Sequence, residues 1–92
     1  MEAEGELKVT VDNFENLLIQ SKTFEVREKE IGLKYGDIIT ISECDEVTGE
    51  YTRRIAVAEI GITQEIGEYL IMSIDIIHYV DERGVVQYLK DK

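Results

Sequence analysis

Apolar and polar residues alternate with period two through most of the chain, and a helical period replaces that alternation in one stretch. In "TVDNFENLLIQS" Val11, Phe14, Leu17 and Leu18 fall on one helical face. Asp12, followed three residues later by Glu15, has the layout of an N-terminal capping box. The pattern predicts one amphipathic helix over residues 12–21, entered from a short strand at 7–9. From residue 22 the alternation returns. Phe24 and Val26 take one parity and Thr23, Glu25 and Arg27 the other. In a half-buried strand this turns the apolar pair inward and the charged residues to solvent.

Further strands follow at short intervals. The β-branched run "IITIS" stands behind the turn residues Gly36 and Asp37, and "YTRRIAVAEI" follows a hairpin turn at Thr48-Gly49. Gly61 and Gly67 punctuate the connection to "EYLIMSIDIIHYV", which is apolar at both parities and so suits a central strand. "DERG", with Gly84 placed for a positive φ, then links to "VVQYLK" in a closing hairpin. The predicted order is β-α-β-β-β-β-β. It argues against a doubly wound sheet and predicts an α+β, mostly β fold, a small, mostly antiparallel barrel with one early helix. At 92 residues there is room for one domain. Residues 1–6 read as a disordered acidic tail, 7–92 as the single domain, and 78–92 as its C-terminal hairpin extension.

Twenty acidic against ten basic side chains give a formal charge of −10. That field repels polyphosphate, which argues against tight, nonspecific nucleic-acid binding and leaves solubility, nucleic-acid mimicry or a basic protein partner as its use. Cys44 is the single cysteine and has no histidine cluster near it in sequence, so neither a disulfide, a metal nor a cofactor is expected. "MEAEGELK" lacks a basic region followed by an apolar run, and the longest apolar stretch is interrupted by Asp75. A reducing, cytoplasmic setting without membrane insertion is the expectation. His78 reads as a core or strand-end residue, Cys44 as a packing residue, and the five tyrosines as mainly packing groups, with Tyr51 the candidate for stacking on a ligand.

The candidate chemistry lies in residues 21–28. Glu25 and Arg27 share a strand face, roughly 7 Å apart, close enough for their side chains to meet. Lys22 has the opposite parity unless a bend at the helix end turns it toward them. An arginine fork can grip a phosphate or carbonyl, a lysine adds a compact charge, and a carboxylate accepts from an amide edge. The same residues could equally form a surface ion pair.

"QSKTFEVR", with Gln20, Lys22, Glu25 and Arg27, resembles the G-x-K-x-x-E-x-R signature of the ASCH superfamily, which is related to PUA domains. The run "LKV…NFENLLIQSKTFEVRE…YGDIITISE…GEYTRRI…EYLIMSI" resembles small bacterial and phage members of unassigned function, over about residues 7–77. The resemblance implies a PUA-like barrel that recognises RNA or a modified nucleoside in a local cleft. Lys22, Glu25 and Arg27 would line that cleft, with Tyr51, Thr52, Arg53 and Arg54 as second-rank ligand contacts and Gly36 and Asp37 shaping a turn. Gln20 departs from the signature glycine. One ASCH-type group hydrolyses acetylated cytidine with a lysine and a threonine three residues later; here that position is Glu25, so the hydroxyl is missing. The expectation is a nucleoside- or RNA-binding domain. The alternatives are a small nucleoside amidohydrolase working through Lys22 and Glu25, or an acidic, phage-encoded protein-interaction module.

Overall fold

The computed structural model describes residues 5–20 and 22–88, with Lys22 and Tyr88 described by their backbone alone. Strand β1 (Gly5–Thr10) leads directly into helix α1 (Val11–Gln20), which hands over to β2 (Lys22–Glu28). One turn of 3-10 helix (Lys29–Ile31) precedes β3 (Ile38–Cys44), and β4 (Tyr51–Ile66), β5 (Tyr69–Val80) and β6 (Val86–Tyr88) complete the chain. The element order is the expected one. The sheet runs β1-β3-β4-β5-β2, with β6 sharing the outer edge of β5 with β2. β1 and β3 are parallel and every other pair is antiparallel. The sheet curls so far that a side chain of β2, at one end, bonds a carbonyl of β1, at the other. The fold is therefore α+β and mostly β, a small half-barrel with one early helix.

Alternation fills the concave side. Leu7 and Val9 of β1, Ile39 and Ile41 of β3, Ala56, Ala58 and Ile60 of β4, and Leu70, Met72, Ile74 and Ile76 of β5 are all buried there. Helix α1 lies over the opening between the end strands and buries Phe14 and Leu17 in the same cluster. Each of these side chains larger than alanine contributes about 1.5–3 kcal/mol of transfer free energy. β5 is the central strand that its two-sided apolar pattern predicts, since it pairs with β4, β2 and β6. No helix among the described residues is long and apolar enough to cross a membrane.

Four expectations are corrected. The helix starts one residue early, because the Thr10 hydroxyl at the end of β1 caps it by accepting from the Asn13 N–H; Glu15 is engaged elsewhere. Gly5 and Glu6 belong to β1, not to a tail, because they pair in register with Ile39 and Thr40; residues 1–4 lie outside the described residues, as do 89–92 of the closing hairpin. Gly61 does not end a strand: β4 runs through it to Ile66 by means of a bulge. A Cβ at Gly61 would land on the Ser73 hydroxyl, which also accepts from the Ile62 N–H freed by the bulge.

The fourth correction is the facing of β2. Phe24 is 69% exposed and Val26 53%, whereas Thr23, Glu25 and Arg27 are half-buried. Register explains the inversion. Glu25 pairs with Met72 and Arg27 with Leu70, the buried parity of β5, while Phe24 and Val26 pair with Ser73 and Ile71 on the other face.

Candidate functional site

Because β2 turns its polar parity inward at the seam between the sheet's two ends, its ion pair sits in a concavity instead of on the outer face. Arg27 Nη1 donates to Glu25 Oε1 at 2.6 Å, and Nη2 donates to the Lys8 carbonyl oxygen at 3.1 Å. The planar fork thus ties an edge strand to the opposite edge strand, with Glu25 orienting it. Lys22 pairs with Asp75, in unbroken register with Phe24 and Val26, so its strand position has the parity opposite to Glu25 and Arg27. Its side chain lies outside the described residues.

The "YTRR" residues divide between three jobs. Between the pairs Ser42–Ile55 and Cys44–Tyr51, β3 has one residue, Glu43, and β4 has three. This bulge is absorbed by Arg53, whose φ of 83° is the only positive value among described non-glycine residues. Thr52 and Arg54 are thereby both brought to Glu43. Arg54 Nε donates to Glu43 Oε1 at 3.0 Å, Nη2 donates to Oε2, and the Thr52 hydroxyl donates to Oε1. Nη2 also donates to Glu15 Oε2 at 2.5 Å, and the guanidinium lies 4.9 Å from the Phe14 ring centroid. The cluster fastens α1 to the bulge. Burial by itself would push the Glu43 carboxyl up; hydrogen bonds from Arg54 and Thr52, with the Arg54 charge, outweigh it and hold the group below its ordinary range. The Glu43 hydrogen bond in turn raises Arg54 further.

Tyr51 stands at the exposed end. The Lys8 ammonium sits 5.4 Å from its ring centroid, and hydrogen bonding to the Tyr51 phenol group, followed by charge, raises the lysine pKa. Beside the pair opens a cavity of about 320 Å³ lined by Lys8, Val9, Thr10, Cys44, Asp45, Glu46 and Gly49. That volume is near the lower end of the roughly 300–1,000 Å³ that small-molecule sites occupy. Its rim is pinned by Asp45, whose Oδ1 accepts from the N–H groups of Val47 and Thr48 at 2.8 and 3.0 Å. Those backbone donors hold the Asp45 carboxyl below its ordinary range. Arg53 points to solvent, and its side chain makes no ion pair or hydrogen bond among the described residues. Nor do three or more His, Cys, Asp or Glu side chains converge for a metal among the described residues.

The structure therefore brings Glu25 and Arg27 together, and separately Thr52 and Arg54, while Tyr51 meets Lys8. Lys8 joins these groups: its carbonyl holds Arg27 and its ammonium covers Tyr51. Lys8, Glu15 and Glu43 were missed from sequence. Glu43 carries a usable signal, because it shares the inward parity of Ile39 and Ile41 and is a carboxylate where the pattern calls for a core residue.

Fold and site together define a small half-barrel module whose two sheet edges are closed by a helix and an arginine clamp, with one ligand-sized cavity against the β1 edge. The chain matches the model of a domain of unknown function, DUF3850, over residues 5–74, and it belongs to that family. No curated protein matches it significantly.

Proposed function

We propose that this chain is a PUA-like, ASCH-type module that takes an unstacked base, from RNA or a modified nucleoside, into the cavity beside β1. The observation that supports this most directly is the junction at Lys8. A concavity of ligand size, a cation resting on an exposed aromatic face and the inward-turned Glu25–Arg27 pair all meet at that one residue. Tyr51 offers its ring for stacking, worth about 1–3 kcal/mol per base. Lys8 leaves the ring to meet a base carbonyl or a phosphate, and Glu46 accepts from an exocyclic amino group. Arg53, turned outward by its backbone, supplies a second cation. Glu25 and Arg27 are positioning residues that fix the β1 edge, and Thr52 and Arg54 hold the bulge that presents Tyr51 and Arg53. Lys22 takes the strand parity opposite to Glu25 and Arg27.

The net charge of −10 works against tracking a long backbone and favours a single base or nucleoside held locally. Hydrolysis is the weaker reading, because Glu25 is ion-paired where the acetylcytidine hydrolases have a threonine. The lone thiol of Cys44 fits a cytoplasmic setting.

An amide NMR titration against nucleosides, acetylated cytidine and short single-stranded RNAs tests the proposal. The expected shifts cluster at residues 8–10 and 44–53, disappear in Tyr51→Ala and weaken in Arg27→Ala. Absence of shifts at millimolar ligand, with the protein folded, refutes it.

A further inference from the structure

The face of the sheet turned away from the core carries an apolar patch that spans three adjacent strands. Register puts Phe24 and Val26 of β2, Tyr69 and Ile71 of β5 and Ile66 of β4 at one parity, with Gln64 and Ser73 as the polar positions among them. The Gly61 bulge adds Ile62, which is 72% exposed. Apolar side chains scattered singly over a surface need no explanation, but a contiguous set marks an interaction site. Here the set exists because β2 is inverted: turning Glu25 and Arg27 inward puts Phe24 and Val26 in water.

Acidic groups border the patch. Beside it a cavity of about 210 Å³ is lined by Tyr35, Glu59, Ile60, Gly61, Ser73 and Asp75. Glu59 and Asp75 are cross-strand partners on that wall, Asp75 is also paired in register with Lys22 of β2, and Tyr35 is exposed at its edge. Glu28 pairs with Tyr69 at the other end, where Glu68 adjoins it and Lys29 is a basic neighbour.

We propose that this face docks a basic, amphipathic segment of another protein. Its apolar side chains cover Phe24, Val26, Ile62 and Ile66, and one Lys or Arg enters the cavity between Tyr35 and Glu59. Charge selects this occupant. A second copy would set the same acidic border against itself, with −10 on each chain, and nucleic acid or anionic lipid carries the same sign. A cationic segment reverses every one of these terms. The carboxylate receives the incoming cation in a charge-assisted hydrogen bond, and the tyrosine ring receives it on its face.

The test titrates labelled protein with a short synthetic Leu/Lys amphipathic peptide and with its Leu/Glu counterpart, at physiological salt. The expected shifts for the Leu/Lys peptide lie at Phe24, Val26, Ile62, Ile66 and Ser73. Affinity should fall about tenfold or more, as for loss of a central anchor, in Phe24→Ser/Ile62→Ser and again in Glu59→Lys. These positions are solvent-facing, and unchanged Met72 and Ile74 methyl signals confirm the fold. Arg27→Ala should bind the peptide normally, which separates this face from the nucleoside site. Equal binding of the Leu/Glu peptide, shifts spread over remote acidic positions such as Glu46 and Glu82, or undiminished affinity in the double variant overturns the proposal. So does self-association without peptide that Phe24→Ser abolishes, which would make the occupant a second copy.

Discussion

Replacing Arg54 by Met keeps an unbranched apolar side chain but removes the guanidinium, and with it the bonds to Glu43 and Glu15 and the contact with the Phe14 ring. Glu43 is 3% exposed, and after the change Oε1 keeps the Thr52 hydroxyl while Oε2 loses the Nη2 donor. Removing one partner of a buried ion pair costs about 3–5 kcal/mol, because the other charge stays behind unpaired. The lower end applies here, since the Arg54 side chain is 17% exposed and water reaches the space it vacates. A cost of about 3 kcal/mol is large against the roughly 5–14 kcal/mol expected for a domain of this length. In urea, with a slope of about 1 kcal/mol per molar for a small domain, the midpoint should drop by about 2–3 M.

Glu43→Gln/Arg54→Met tests the cause. With no charge left to strand, the double variant should recover about 2 kcal/mol relative to Arg54→Met. The native protein and Arg54→Met should also respond oppositely to acid. In the native protein Glu43 is held below its ordinary value of 4.5, so its contribution is present above that pH and is lost as pH falls through the folded pKa. In Arg54→Met the uncompensated burial raises the group. The folded state then binds the proton first, and stability rises as pH falls through the raised folded value. Urea melts of the native protein and both variants at neutral pH, near pH 5 and below pH 4.5 give the answer. A single-variant cost under about 1 kcal/mol, or a double variant no more stable than the single, refutes the account of Glu43 as a buried charge held by Arg54.

Three further outcomes follow from the geometry. Gly61→Ala should cost about 1 kcal/mol, because the new methyl displaces the Ser73 hydroxyl from the Ile62 N–H; Ser73→Ala loses the same bond, so thermal melts should show the double variant well short of additive. Arg53→Gly should stabilise by about 0.5–1 kcal/mol in urea melts by relieving its positive φ, while weakening any ligand that uses the guanidinium. Arg27→Ala should cost about 1 kcal/mol, given how far the pair is exposed. Hydrogen exchange should then speed up at β1 amides and leave those of β4 and β5 unchanged.

How far the sequence discloses this fold depends on the range over which each feature is decided. The helix and the strand order are written locally, in the switch between two strong periodicities at Val11–Gln20 and in the turn residues that separate the strands. Alternation on β2 gives two parities without saying which faces the core, and that is settled by pairing with Leu70, Met72 and Ile74 more than forty residues away. Gly61 looks like a break because a glycine suits both a turn and a bulge. Ser73, whose hydroxyl occupies the place of a Cβ, decides between them. The Glu25–Arg27 contact was readable from its two-residue spacing. Thr52 and Arg54 meeting at Glu43 was not, since it requires three residues of β4 to face one of β3.

The inversion of β2 links the two proposed surfaces. A closed barrel would join β1 to β2 by a backbone ladder; in this chain the seam holds α1 and the Arg27 bond to the Lys8 carbonyl. A side-chain clamp must come from the inward parity, and an arginine placed there needs a carboxylate beside it, which Glu25 supplies. Once that parity is committed to polar work, Phe24 and Val26 have only the outer face left. The edge of β1 then meets a cavity instead of a neighbouring strand. Polar recognition beside the seam and apolar docking on the convex face are thus two consequences of one choice of register, and a one-residue slip of β2 against β5 would abolish both.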